Sequence, residues 1–317
     1  VSKIAGPCPG KVNQMKHNDI EEIIQQLHGV FLGQEDVVKS ILCAFFAGGH
    51  VLLEGVPGVG KTLIALALSK LLHLNFKRIQ FTNDMLPSDI TGFHTFQSGS
   101  MKLDLMKGPV FASIVLADEI NRTSPKTQSA LLEAMEENQV TIDGITYELP
   151  KPFMVIATQN PVEVAGTFPL PESQLDRFLM NVKVGYPPLQ AEKEILSKDI
   201  DHTDALKLSP IMDRDTIMEH LSGVSRILVH KEILEYMAAI VRTSRTHDKI
   251  ELGISPRGGL ALKRACQSWA FLHGRSFVTP GDVKKVSPLV LAHRVIIKDG
   301  DPSGIIEELV NEAGAPI

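Results

Sequence analysis

Short runs of consecutive apolar residues, each closed by a charged or turn-forming residue, recur through the first half of the chain, and helical spacing takes over beyond it. Val51-Leu52-Leu53, Ser113–Ala117 and Phe153–Thr158 are such runs, and Asn75–Phe81 and Leu179–Val184 are two further candidate strands that mix polar with apolar residues. The apolar runs are too short for helices and apolar on both sides, which predicts strands of a parallel sheet covered on both faces. Between them lie helical patterns. Asn18 or Asp19 caps a helix through about Leu27, with Ile20, Ile23, Ile24 and Leu27 on one face. Phe31-Leu32-Gly33-Gln34 breaks it, and a second helix leads to Val51. Ser124-Pro125 is a cap followed by proline at the first helical position, opening a helix with Leu131, Leu132 and Met135 on one side. Residues 91–110 and 139–149 alternate instead and predict two β-hairpins, the second turning at Asp143-Gly144. Gly185-Tyr186-Pro187-Pro188 then punctuates the chain.

Beyond that point everything reads as helix: Glu192–Lys198, Ile211–Leu221, Lys231–Arg242, a helix from Ser255-Pro256 through Phe271, and one opened by Thr279-Pro280-Gly281-Asp282 with an acid placed for a capping box. The expected organisation is an α/β domain with a parallel sheet over residues 1–186 and a small all-α domain over 187–317. Residues 1–16, rich in Gly, Pro and Lys, read as a loose arm.

Composition narrows the function classes. At 317 residues, with 44% apolar and 22% charged content, this is ordinary globular material. The formal net charge of -5 argues against a broadly basic surface for coating a duplex. Cys8, Cys43 and Cys266 are far apart with no C-x-x-C, which fits a reduced cytoplasmic setting. No Cys/His cluster points to zinc, no apolar run reaches the length of a membrane span, and the first residues carry no signal-peptide core.

The chemistry centres on the loop after the first strand. Gly55-Val56-Pro57-Gly58-Val59-Gly60-Lys61-Thr62 matches G-x-x-x-x-G-K-[ST] at every fixed position. Its glycines let backbone N–H groups converge on a β-phosphate. Lys61 supplies a point charge for the β/γ-phosphates, and the Thr62 hydroxyl can ligate Mg²⁺. The helix that opens at about Gly60 and runs on through Leu63 adds its N-terminal dipole to the anion site. An ordinary glycine-rich turn would explain the glycines but not the strand before, the helix after and all four fixed residues together, so the chain is read as a nucleoside triphosphate binder. Asp118-Glu119 closes another apolar strand. In a parallel sheet the ligand lies beyond the carboxyl ends of the strands, so these acids can face the loop. Asp118 would hold Mg²⁺, and Glu119 would activate the attacking water. Asn160 ends the next strand; its amide can hold the γ-phosphate or the lytic water, and it is equally a turn former before Pro161. Arg122, Arg177 and Arg257 carry no local signal beyond that of surface ion-pair partners.

In the order GVPGVGKT, SIVLADEINR, VIATQNP, LPESQLDRF and ISPRGG, the chain resembles the AAA+ ATPases, and specifically their MoxR family. The match is strongest over 51–180, in ADEINRTSPKTQSALLEAMEE and PLPESQLDRFL, and looser through 31–50 and the C-terminal helices. The resemblance implies a P-loop AAA+ nucleotide domain with a helical lid. It assigns Asn160 to sensor 1, Arg257 to sensor 2, and Arg177 to an arginine finger acting on a neighbour's ATP. Phe31, Leu32 and Gly33 match the segment that lines the adenine. The two hairpins look like the helix-2 insert and pre-sensor-1 hairpin of the clade shared with magnesium chelatases and MCM helicases. The role of Arg122 stays open.

By that resemblance the protein is a Mg²⁺-dependent ATPase that assembles with itself as a ring, a hexamer, with ATP gripped by one subunit's P-loop and lid and by Arg177 of the next. Hydrolysis would swing the lid about 185–188. The resemblance also implies chaperone-like remodelling, or metal or cofactor insertion, often with von Willebrand factor A domain partners. Two alternatives stand beside it: an MCM-like nucleic-acid motor, and a nucleotide-gated scaffold with little turnover. Against the motor, the first hairpin offers only Lys102 and Lys107, and the second carries Asp143 and Glu148 with no basic residue before Lys151.

Overall fold

Strands apolar on both faces must be covered twice, and the chain does this with helices threaded between them. The computed structural model describes residues 9–96, 103–161, 166–198 and 202–315. In chain order the first elements are α1 (Pro9–Val30), α2 (Glu35–Phe46), β1 (Val51–Glu54), α3 (Lys61–Leu71), β2 (Phe76–Gln80), α4 (Pro87–Thr91), β3 (Gly92–Phe96) and β4 (Leu103–Lys107). They are followed by β5 (Ile114–Asp118), α5 (Pro125–Glu137), β6 (Gln139–Ile142), β7 (Ile145–Glu148), β8 (Met154–Gln159), α6 (Glu172–Leu175) and β9 (Met180–Lys183). Five strands form one sheet in the order β2-β5-β8-β1-β9, and every pairing in it is parallel.

Alternation along each strand sorts the side chains to the two faces. Val51, Leu53, Ile114, Leu116, Met154 and Ile156 share a core with α1, α2 and α3. Leu52, Val115, Ala117, Val155 and Ala157 share a second core with α5 and the roots of the hairpins. Both hairpins form as the alternation predicts, β3 against β4 and β6 against β7, each antiparallel. The described part of α1 begins at Pro9. Residues 9–16 are therefore helical rather than part of a loose arm. Residues 1–8, Cys8 and Lys102 lie outside the described residues.

After β9 come α7 (Leu189–Lys198), α8 (His202–Leu206), α9 (Arg214–Val224), α10 (Lys231–Thr243), β10 (Ile250–Leu252), α11 (Pro256–Leu272), α12 (Pro280–Leu291), β11 (Ile296–Ile297) and α13 (Pro302–Glu312). The short β10-β11 ribbon is antiparallel and carries no sequence signal of its own. Thr279 and Asp282 complete the capping box of α12, with Thr279 N donating to Asp282 Oδ2 at 2.8 Å and Asp282 N to Thr279 Oγ1 at 3.4 Å.

The helical part packs on α2 and β9 without a break in the apolar core. Cys43 of α2 donates from Sγ to the Ala265 carbonyl on α11 (3.2 Å), and Ser268 Oγ donates to the Cys43 carbonyl (2.8 Å). Phe46 meets Phe271 edge-on, with ring centroids 5.4 Å apart. The swing about 185–188 expected from the sequence would have to open these buried contacts. Burial pushes the thiols of Cys43 and Cys266 up, the former to about 12, so both are inert at neutral pH.

Two buried histidines tie elements together in the neutral form. Val155 N donates to His50 Nδ1 (3.0 Å), which leaves Nε2–H to donate to the Met135 carbonyl (3.0 Å) at the end of α5. Burial depresses the His50 pKa from 6.5 to about 4. Burial, with Arg294 beside it, depresses that of His293 to about 3. Their stabilisation is complete above the unfolded value near 6.5 and is lost as the pH falls from there toward the folded values, because only the unfolded chain takes up the protons. Thermal melts should therefore show stability falling steadily from pH 6.5 to 4. A melting temperature flat across that interval would show that the two imidazoles carry charge in the fold.

Candidate active site

The carboxyl ends of β1, β8 and β5 lie side by side, and the loop after each delivers chemistry to the same place. After β1 the loop 55–60 turns into α3. Gly60 holds φ +87, and a Cβ there would sit 3.0 Å from the Phe31 ring, so glycine keeps the loop open to a close-approaching ligand. Lys61 Nζ donates to the Gly55 carbonyl at 2.6 Å and is folded back over the loop. Burial pushes its ammonium pKa down, and the nearby Asp118 and Glu119 carboxylates oppose that shift. The acids thus stand close enough to Lys61 to be felt electrostatically.

Asp118 and Glu119 close β5, one strand beyond β8. Thr158 on β8 donates from Oγ1 to Asp118 Oδ1 (2.6 Å) and accepts from Glu119 N (2.9 Å). That bond holds Glu119 in a left-handed backbone conformation, φ 58 and ψ 50, which costs a non-glycine residue about 1–3 kcal/mol. The turn throws its side chain out of the strand line, toward Gln80 and Arg122. Glu119 Oε2 accepts from Gln80 Nε2 at 2.9 Å and from Arg122 Nη1 at 3.1 Å. Arg78 on β2 takes the other oxygen of Asp118, with Nη2 at 2.7 Å and Nε at 3.2 Å. Asn160 directly follows β8, where Gln159 faces Glu54 in register and its carbonyl accepts from Gly55 N (3.3 Å).

Beside the loop lies a cleft of about 470 Å³ lined by Phe31, Leu32, Val59, Leu63, Tyr186 and Leu196, among others. Its volume and apolar walls suit a nucleoside. Tyr186 and Leu196 are 73% and 79% exposed, as side chains are at the rim of a cleft open on that side. Gly33 does not line it; a Cβ there would meet Pro188 Cδ and Ala191 Cβ at 2.7 Å, so Gly33 seats the chain against the start of α7.

Arg177 and Arg257 converge elsewhere. Arg177 lies just before β9, and two residues on, Leu179 N donates to the His50 carbonyl, at the amino end of β1. Val184 N donates to Glu54 O, at the carboxyl end beside the P-loop. The five residue steps between them span roughly 17 Å at about 3.3 Å each, so Arg177 and the loop of its own chain occupy opposite ends of the sheet. Arg177 Nη1 meets Glu136 Oε2 at 2.8 Å and donates to the Leu132 carbonyl at 2.7 Å. Arg257 Nη1 meets the other oxygen of the same carboxylate, Glu136 Oε1, at 2.9 Å. The structure thus brings Arg257 to Arg177 through their shared partner Glu136.

Comparison with known proteins now bears on this geometry. The family model of the ATPase family associated with various cellular activities (AAA) matches residues 50–180, and that of the AAA lid domain matches 242–313. An uncharacterized protein of Bacillus subtilis, YeaC, is 43% identical over 95% of this chain and 96% of its own length. Chaperone MoxR1 of Mycobacterium tuberculosis is 38% identical over 88% of this chain and 76% of its own, and protein MoxR of Methylorubrum extorquens is 31% identical over 84% of each. The chain belongs to the MoxR family of AAA+ ATPases. A crystal structure from Cytophaga hutchinsonii, described as a candidate ATPase, superposes with a TM-score of 0.89 at 34% identity, covering 97% of this chain and 98% of that one.

Within this MoxR-family fold, sequence reasoning missed Thr158, Gln80, Arg78 and Glu136, each of which touches a residue it had singled out. None has a local motif. Strand ends were the available signal: Gln80 and Thr158 sit at the carboxyl ends of β2 and β8, where a parallel sheet presents its ligands. Tyr186 was read only as chain punctuation.

Proposed function

We propose that the protein is an ATPase acting as a ring of identical subunits, with residues 1–186 as nucleotide core and 187–317 as lid. The observation that carries this is the convergence of the P-loop, the Asp118-Glu119 pair and a nucleoside-sized cleft at one end of the sheet. The residues present fit Mg²⁺: Thr62 and Asp118 supply hard oxygen ligands beside a loop shaped for phosphates. Bound there, the metal would neutralise charge on the β- and γ-phosphates. Phe31, Leu32, Leu63 and Tyr186 hold the base, Gly55 to Thr62 hold the phosphates, and Glu119 takes the proton of the attacking water. Asn160 orients that water or the γ-phosphate.

Arg177 and Arg257 act from a neighbouring subunit. Their cluster sets three guanidiniums, with Arg294 bound to Asp176 at 2.6 Å, against the two carboxylates Glu136 and Asp176. Arg264 also lies near enough to Arg257 and Arg294 to act on them, so guanidiniums outnumber carboxylates here and positive charge is left over to meet a neighbour's phosphate. A protein client is favoured over nucleic acid, because Phe93, Phe96, Leu103, Met106 and Ile145 stand exposed on the hairpins, whereas Lys107 is the one basic residue among their described positions. Work on such a client would be chaperone-like remodelling. Phosphate release should require Mg²⁺ and stop in excess chelator, and sedimentation velocity should show nucleotide-dependent assembly. A Mg²⁺-independent rate, or a monomer at every nucleotide state, would refute this reading.

A further inference from the structure

We infer that Glu136 is a positioning residue, holding Arg177 and Arg257 as one unit for the neighbour's nucleotide, and that α5 fixes it relative to its own subunit's catalytic acids. This rests on the reading above, in which the two arginines act across a subunit boundary.

Three observations carry it. First, Glu136 divides its oxygens, Oε2 to Arg177 at 2.8 Å and Oε1 to Arg257 at 2.9 Å. The two arginines come from different parts of the chain, the turn before β9 and the first turn of α11. Without the carboxylate between them, two guanidiniums would stand within a few ångströms of each other and repel. Asp176 does not replace it: its Oδ2 is 3.6 Å from Arg257 Nε, and its Oδ1 is committed to Arg294.

Second, Glu136 is anchored. The preceding residue gives its carbonyl to His50 Nε2, and His50 is fixed in turn by Val155 N, so the end of α5 is pinned to the amino ends of β1 and β8. Leu131, Leu132, Ala134 and Met135 bury the inner face of the same helix. Glu136 itself keeps about a third of its side chain exposed, which suits a group that works at a boundary.

Third, the other end of α5 starts at the active site. Glu119 is followed by a single 3-10 turn, Ile120–Arg122, and then by the Ser124 cap of α5, whose side chain accepts from Thr127 N. Gln128 of α5 donates to the Ile120 carbonyl at 3.1 Å, which ties the helix to that turn. Thirteen helical residues span roughly 20 Å at 1.5 Å each. One rigid helix therefore joins the acids that serve a subunit's own ATP to the carboxylate that sets the arginines serving the next.

The test uses mixed assemblies of the full chain. Lys61→Ala subunits supply arginines and Arg177→Ala subunits supply P-loops, and rescue of turnover in their mixture is the reference. Glu136→Gln is then added to one parent at a time. On the arginine-supplying parent it should lower rescued kcat by about 10- to 100-fold, the scale on which small misplacements act, with the KM for ATP unchanged. On the P-loop-supplying parent, whose own finger is already deleted, the loss should be several-fold smaller. Glu136→Asp, which keeps the charge but is too short to bridge both arginines, should fall between on the same side. Melting curves and copurification of tagged subunits check that each variant folds and assembles. If the reference pair shows no rescue although mixed assemblies form, the trans reading fails and this inference with it. If the reference pair is rescued but both variants act equally from either side, or from neither, the role of Glu136 alone is overturned.

Discussion

Two variants that are each inactive, Arg177→Ala and Lys61→Ala, should recover ATP turnover when their subunits are mixed. Arg177 stands at the amino end of the sheet and the P-loop at the carboxyl end, so an Arg177→Ala subunit keeps an intact nucleotide pocket. It lacks only the guanidinium that a neighbour's ATP needs, and fingers of this kind contribute roughly 10³–10⁵ in rate. A Lys61→Ala subunit has the complementary defect, with its finger in place but no grip on the phosphates. Where the two meet in the productive order, one interface is whole. Phosphate release should rise well above that of either parent, in proportion to the fraction of such interfaces. If tagged subunits show that mixed assemblies have formed and the rate stays at the level of either parent, Arg177 works within its own subunit or only as the ion-pair partner of Glu136.

Within one subunit, Lys61→Ala and Glu119→Gln should separate binding from turnover. Lys61 is half buried, and its ammonium is held over the loop by the Gly55 carbonyl until a phosphate replaces that partner. Losing it costs about 2–5 kcal/mol of affinity, roughly 30-fold and upward in Kd, the range for removing one member of a desolvated charge pair. Glu119→Gln keeps the shape and can still bond Gln80 and Arg122, so ATP should bind about as well as before. Turnover should drop by about 10²–10⁴-fold, since the amide cannot take a proton from water. Calorimetric titration against single-turnover hydrolysis distinguishes the two variants. Equal ATP affinity in wild type and Lys61→Ala would remove the P-loop assignment, and undiminished hydrolysis by Glu119→Gln would remove the base.

What the sequence disclosed was whatever is written locally. The apolar runs around Val51, Ile114 and Met154 can only be strands buried on both faces, and the fixed residues of the P-loop are contiguous, so their meaning needs no partner. Hairpins with Asp143-Gly144 at a turn are equally local. Contacts made by the fold itself stayed hidden. Thr158 reaches Asp118 because β8 lies beside β5, an adjacency that no spacing along the chain encodes. Glu136, Arg177 and Arg257 belong to three elements far apart in sequence, and nothing in ISPRGG says that its arginine will meet the end of α5. The ribbon of β10 and β11 was missed because strands of three and two residues are too short to display alternation. The helical state of residues 9–16 was missed because Pro9 through Lys16 carries only Val12 and Met15 as apolar markers.

The unbroken packing of α2 against α11 has a mechanical consequence. A subunit built this way is a stiff link rather than a clamshell. Cys43, Phe46, Ser268 and Phe271 act as rivets between its two halves, and in the ring proposed above a subunit that does not flex at its waist would hand any displacement to its neighbours. In a closed ring of such links the joints are the nucleotide sites themselves. Opening one site then tightens or loosens the others through geometry alone, without a signal having to pass through any single side chain.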